Sequence, residues 1–166
     1  MMTHTHTSTA QNYGRQPVGD CEERVLCGVN RTVRISVGVT CYNNGDNIGH
    51  LLRDIEDQVF KTGARIADVV VVASGCTDNT VSEVQGWSSR DPRIRLILEP
   101  CRNGKPSAIN KILQTMSGDV LVLLSGDVRL SGARFVEGLV AYCAKGAGVV
   151  GCRPVPVNDT RTTVGY

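Results

Sequence analysis

The sequence predicts a doubly wound, mostly parallel α/β sheet with helices on both faces, a three-layer α/β/α arrangement. Three observations carry that prediction. Strand-like and helix-like segments alternate four times from Arg34 onward, an order that builds a parallel sheet through crossover connections. The strand-like segments are near-continuous apolar runs, as in sheets covered on both faces. The unusual polar and glycine clusters fall between a strand and the helix that follows it, and ligands bind such sheets at the carboxyl ends of the strands.

The elements follow in order. RISVGVT (34–40) is apolar and β-branched, hence a strand. CYNNGD (41–46) is rich in turn residues. Ile48, Leu51, Leu52, Ile55 and Val59 then recur at helical spacing. ADVVVVA (67–73) is the second strand and SGCTDN (74–79) its loop. Thr80 and Glu83 have capping-box spacing, which starts a second helix. After Pro92, IRLILE (94–99) is the third strand and PCRNGK (100–105) its loop. Pro106 suits the first turn of a third helix, which carries Ile109, Ile112, Leu113 and Met116 and ends by Gly118. DVLVLL (119–124) is the fourth strand. Residues 132–145 make a fourth helix with Phe135, Leu139, Val140 and Cys143 inward, and GVVGC (148–152) reads as a fifth strand. Four loops therefore meet on one edge: 41–46, 74–79, 100–105 and 125–131.

The chain has 166 residues, the size of one domain with one sizeable core. Residues 1–32 lack periodicity and are expected to form a flexible tail, with the domain over 33–166. His4 and His6 in that tail are read as incidental, and His50 as a solvated helix residue. Aromatic residues make up only 4%, against base-stacking nucleic-acid modules. A net charge of +2 is too small for a phosphate-backbone partner, so no nucleic acid is expected. Seven cysteines occur without a C-x-x-C pair, and MMTHTHTSTAQ shows no basic start followed by an apolar run. That usage fits a reducing compartment. The expected location is the cytoplasm, with membrane association only as part of a longer protein. No apolar stretch approaches the roughly 18 residues of a membrane-spanning helix.

Several chemistries are excluded. The first loop, CYNNGD, is not the G-x-G-x-x-G of a dinucleotide fold. Gly104-Lys105 has Glu99 upstream and Pro106 downstream, so it is no P-loop. No G-x-S-x-G is present. Asp127 at the end of the fourth strand has two readings, a plain strand-ending turn or a metal ligand. A phosphotransfer centre is disfavoured because Val128 and Arg129 follow it.

Four segments in order carry a resemblance: ISVGVTCYNNGDNIGHLL, VVVVASGCTDNT, RNGKPSAIN and GDVLVLLSGDV. Together they resemble the nucleotide-binding half of a family-2 glycosyltransferase with the GT-A fold. They look like its Tyr-Asn-Glu loop and Asn-Ile helix, its Asp-Asp-Gly-Ser-Thr-Asp loop, its Gly-Lys segment and its strand leading to the D-x-D motif. The resemblance implies a Rossmann-like GT-A domain that binds a UDP- or GDP-sugar and transfers the sugar, with inversion, to a glycan, lipid or other acceptor. It implies a nucleotide-sugar site of Thr40, Tyr42, Asn43, Ser74, Gly75, Asp78, Gly104, Lys105, Ser125, Gly126 and Asp127, with Asp127 holding Mg²⁺ or Mn²⁺.

The chemistry of such a donor suits these residue types. A diphosphate needs a divalent cation, a carboxylate to hold it, and lysine or backbone donors. Lys105 stands at a helix N-terminus, which favours an anion. Tyr42 and Asn43 would line the base or ribose. Asp78 has two readings, a helix cap or a nucleoside contact. Asp119, on the opposite edge, reads as structural, and Arg129 as exposed or on phosphate. Cys41, Cys76 and Cys101 lie in three converging loops, where small buried thiols are commoner than a thiolate metal site.

The chain departs from the family pattern at four places. Ala73 and Ser74 replace the acidic pair of the second loop, Ser125 the first Asp of D-x-D, and Asn44 the Glu of Tyr-Asn-Glu. The acceptor-binding half, which supplies the family's general base, is expected to be missing from this chain. The rival expectation is a donor-binding module without catalysis.

Overall fold

The computed structural model describes residues 32–155. The tail over 1–32, with His4 and His6, and the last eleven residues of the expected domain lie outside the described residues, apart from Thr32 itself.

Eight elements alternate along the chain. They are β1 (Arg34–Cys41), α1 (Gly45–Glu56), β2 (Arg65–Ser74), α2 (Thr80–Ser88), β3 (Ile94–Glu99), α3 (Lys105–Thr115), β4 (Val120–Ser125) and α4 (Phe135–Ala144). The four strands form one sheet in the order β3-β2-β1-β4, and every pairing is parallel. The chain moves outward from β1 through β2 to β3, then crosses back to place β4 on the other side of β1. That reversal puts a topological switch point between β1 and β4.

The layers follow from which strand residues point where. Ile35, Val37 and Val39 of β1 and Val69 and Val71 of β2 join Ile48, Leu51, Leu52 and Ile55 of α1, Val84 and Trp87 of α2, and Val136 and Val140 of α4 in the larger core. The alternate residues Val70 and Val72 meet Ala108 and Ile112 of α3 on the other face. This is the three-layer α/β/α arrangement, because alternate strand side chains point to opposite faces. Each fully buried Val, Leu or Ile contributes roughly 1.5–3 kcal/mol.

The amino-terminal edge of the sheet is tied structurally. Asp119 accepts hydrogen bonds from the Arg34 backbone N–H and guanidinium. Buried Asp68 accepts from Arg95 at 2.7 Å and from the Ser117 N–H and hydroxyl at 2.9 and 2.6 Å.

Four expectations are corrected. The third helix ends at Thr115, so Met116 lies outside it, and Leu113 is exposed, so Ala108 and Ile112 form its buried face. GVVGC (148–152) forms no strand, and Val149 is 91% exposed. Two valines between glycines present too little apolar surface to cover a sheet face. The first helix stops at Glu56, and Val59 is exposed, its N–H donating to the Ala133 carbonyl at 2.7 Å. Thr80 is the first residue of α2 rather than its cap. The cap position falls to Asn79, and the capping bond comes from Asp78.

Candidate functional site at the carboxyl edge of the sheet

The strand ends are level. Thr40 pairs with Ser125, Cys41 with Ala73, and Ser74 with Glu99. The loops after them therefore converge over the switch point. The structure brings all eleven sequence-predicted site residues to this edge, but it gives them different work.

Asp127 is placed most firmly. The Gly126 N–H donates to the Thr40 carbonyl at 2.9 Å. A Cβ on Gly126 would lie 2.7 Å from both Cys41 Sγ and Asn44 Oδ1, so only glycine lets the β4 loop lie this close to the first loop. Asn47 Nδ2 donates to the Gly126 and Val128 carbonyls, both at 2.9 Å, bracketing Asp127. Two turns further along α1, Asp54 accepts Arg129 Nε and Nη2 at 2.6 and 2.8 Å and the Leu130 N–H at 3.1 Å. Arg129 is thus an ion-pair partner of α1. Asp127 itself is exposed, and no described residue donates to its carboxylate.

The first two loops are bonded to each other. Asn43 adopts φ +51°, a left-handed conformation that asparagine tolerates better than most residues. Its Oδ1 accepts the Thr77 N–H at 2.8 Å and its Nδ2 donates to Thr77 Oγ1 at 3.3 Å. Asp78 accepts the Thr80 hydroxyl and N–H on Oδ1, at 2.6 and 3.1 Å, and the Gly45 N–H on Oδ2, at 2.8 Å. These bonds, the Thr80 hydroxyl foremost, hold the Asp78 carboxyl below its ordinary value despite the opposing effect of desolvation. One carboxylate therefore satisfies backbone donors at the starts of both α1 and α2, with the dipole of each favouring its charge. Of the two readings for Asp78, the geometry is that of a cap. Asp78→Ala is expected to lower stability by about 1–2 kcal/mol, as loss of an N-cap does. The urea midpoint measures it, and an unchanged midpoint would count against the role.

The third loop is bonded to the second. Ser74 Oγ donates to the Cys101 carbonyl at 3.4 Å and accepts the Asn103 N–H at 3.2 Å. The Gly75 N–H donates to the Glu99 carbonyl at 2.9 Å. Gly104, at φ +84°, turns the chain into α3, and exposed Lys105 is the first residue of that helix. Beneath it, buried Glu99 accepts the Ser107 hydroxyl at 2.6 Å and stands 3.8 Å from Lys111 Nζ. The Ser107 bond leads the effects that hold Glu99 below its ordinary value.

The three loop cysteines differ in burial: Cys41 is buried, Cys76 half-buried and Cys101 exposed. Burial first, then the nearby Cys76, Asp127 and Asp78, pushes the Cys41 thiol up to about 12, so it stays protonated. Among the described residues no group of three or more His, Cys, Asp or Glu is arranged to hold a metal.

Tyr42, Lys105, Ser125 and Asp127 thus present side chains to the edge without a hydrogen bond to another described side chain, whereas Asn43, Ser74 and Asp78 join the loops. Sequence reasoning gave Asn44 only as a departure from the family pattern and missed its role, in which its Oδ1 accepts the Tyr42 N–H at 2.9 Å. It also missed Asn47 and Arg102. Asn47 carried a readable signal, since it stands four residues before Leu51 on the inward face of α1. Arg102 carried none.

The comparisons agree with this geometry. The profile of Glycosyl transferase family 2 matches residues 36–165. The mannosyltransferase PcManGT from Pyrobaculum calidifontis, solved with GDP-Man and Mn²⁺, is 29% identical, with a TM-score of 0.61 over 69% of this chain and 33% of its own. Glucosyl-3-phosphoglycerate synthase from Mycobacterium tuberculosis, in complex with Mn²⁺, UDP and phosphoglyceric acid, is 25% identical, with a TM-score of 0.57 over 70% of this chain and 41% of its own. S. aureus TarS 1-349 in complex with UDP is similar in fold, at 23% identity and a TM-score of 0.58, over 74% of this chain and 38% of its own. The chain thus spans between a third and about two fifths of these relatives. No curated protein matches it. No helix among the described residues is long and apolar enough to cross a membrane.

Proposed function

The chain belongs to Glycosyl transferase family 2, and on that premise we propose that its edge loops bind a nucleotide-diphospho-sugar, UDP- or GDP-linked, together with Mg²⁺ or Mn²⁺. The reaction is transfer of the sugar to an acceptor hydroxyl of a glycan, lipid or other molecule, with inversion. The observation that carries this reading is the placement of Asp127. An exposed carboxylate that accepts no hydrogen bond from any described residue stands at the switch point, on the same edge as Lys105 and the N-terminus of α3. Both charges suit the two ends of a metal–diphosphate.

The donor set fits such an ion. Mg²⁺ keeps several waters and is held by one or two carboxylates plus substrate phosphates. Asp127 is an exposed carboxylate available for that role at this edge. When bound, the ion neutralises the diphosphate leaving group. Asp127 would hold it, and Asn47 fixes the backbone on either side. Lys105 and the free N–H groups at the start of α3 balance the remaining negative charge. Tyr42 supplies an aromatic face and Ser125 a hydroxyl for the nucleoside. An inverting transfer also needs a base to take the acceptor proton. We assign that base to an acceptor-binding half outside the described residues.

Titration calorimetry with UDP and GDP, with and without Mn²⁺, tests the reading. Binding that strengthens with Mn²⁺ is the expected result. Failure of both nucleotides to bind would sink it, whereas binding without turnover in the intact gene product would reduce it to a donor-binding module.

A further inference from the structure

We propose that Arg102 is a further recognition residue of the donor site, and that it reads a pair of in-plane acceptors on the ligand. The inference rests on the donor reading above. The paired acceptors have two sources in a nucleoside diphosphate: the O6/N7 edge of guanine, or two oxygens of the diphosphate.

The geometry starts from Tyr42. The Arg102 guanidinium carbon lies 4.0 Å from the centroid of the Tyr42 ring. That stack joins the first loop to the third, and Tyr42 remains 41% exposed. A guanidinium stacked on an aromatic ring uses its π-face and leaves its N–H donors available at the edge. Arg34, Arg93, Arg95, Arg129 and Arg134 each hold a carboxylate. Arg102 holds none among the described residues. Its fork is thus uncommitted to any described carboxylate, at the edge where the ligand is expected.

The backbone that carries Arg102 is fixed on both sides. The Cys101 carbonyl and the Asn103 N–H, which flank it, both bond to Ser74 Oγ. A hydroxyl can donate to one and accept from the other, whereas a carboxylate at position 74 would repel the Cys101 carbonyl. Gly75 completes the seat. Its φ is +65°, and a Cβ there would stand 2.6 Å from Arg102 N. The end of β2 is therefore shaped to hold Arg102 over Tyr42. Lys105, three residues on, adds a point charge but not a planar fork.

The test is calorimetry on the full chain and on its Arg102→Ala and Arg102→Lys variants, with GDP, UDP and pyrophosphate, each with Mn²⁺. Circular dichroism checks that the exposed substitutions leave the fold intact. Loss of a bidentate pair is expected to weaken binding about tenfold or more in Arg102→Ala, with Arg102→Lys failing to restore it. A loss for GDP alone assigns the fork to the guanine edge. An equal loss for GDP, UDP and pyrophosphate assigns it to the diphosphate. Unchanged binding of every ligand by Arg102→Ala, or full binding by Arg102→Lys, overturns the proposal while leaving the donor reading standing. If the unaltered chain binds neither nucleotide, the donor reading fails and this inference fails with it.

Discussion

Replacement of Glu137 by alanine is expected to destabilise the domain by about 3 kcal/mol, a large share of the roughly 5–15 kcal/mol that holds a domain folded. Glu137 is 4% exposed, yet it is ionised and fully engaged. Oε1 accepts the Lys61 N–H at 2.7 Å, the Thr62 N–H at 3.0 Å and the Thr62 hydroxyl at 2.8 Å, and Oε2 accepts Arg134 Nε at 2.8 Å. One carboxylate thus pins the connection between α1 and β2 onto α4. Alanine would leave those donors without their acceptor and open a void beside Val136. Glu137→Gln keeps the volume and one acceptor but turns an amide N–H₂ toward a donor, so a smaller loss is expected. Urea unfolding reads both, and a midpoint for Glu137→Ala within error of the parent would refute the clamp.

The same carboxylate makes the domain acid-labile. Desolvation pushes the Glu137 pKa up, but bonds from Arg134, Thr62 and the Lys61 and Thr62 N–H groups outweigh it, and the net shift is below the ordinary 4.5. A depressed carboxylate contributes stability that is present above its unfolded value and is lost as pH falls through its folded value. Glu99 and Asp68 are lowered in the same direction. For Asp68, desolvation is again the largest effect and is overcome by bonds led by that from Ser117. Stability should therefore be level above the ordinary carboxylate range and fall below it, and the fall should be shallower in Glu137→Gln.

Much of the fold was legible because it rests on local pattern. VVVVA admits no solvent-facing alternation, so β2 had to be covered on both faces, and α1 shows its apolar face at helical spacing; at the sheet edge Leu123 of β4 is 40% exposed, and of the four residues read as the apolar face of α3 only Ile112 is buried. The fifth strand failed because Val149 and Val150 resemble a strand in composition but have no ladder partner, which is a tertiary condition. The edge loops were legible as a group because parallel topology sends every strand–helix loop to one side. The division of labour within them was not. Asn43 with Thr77, Asp78 with Gly45 and Asn47 with Gly126 are bonds between residues 33 to 79 positions apart, and no local pattern marks them. The Tyr42–Arg102 stack is hidden for the same reason.

Asp127→Asn is expected to abolish the Mn²⁺-dependent part of nucleotide binding while leaving the fold untouched. The side chain is exposed and accepts no hydrogen bond from a described residue, so the stability change should stay within about 0.5 kcal/mol. Asparagine has nearly the same shape but no charge, so it isolates the electrostatic role. Loss of a group that merely orients a metal ligand costs about 10- to 100-fold in affinity, and loss of the ligand itself should cost at least as much. Nucleotide binding without Mn²⁺ should survive, because Lys105, Tyr42 and the start of α3 do not depend on Asp127. Calorimetry with and without Mn²⁺ separates the two parts. If Asp127→Asn retains the full gain from Mn²⁺, the metal is held by other groups and the assignment of Asp127 fails. Asn47→Ala provides the companion case. It keeps the carboxylate but removes the two bonds that bracket it, so it should weaken the Mn²⁺-dependent gain without abolishing it. That graded pair distinguishes a carboxylate positioned for a metal from one that only ends a strand.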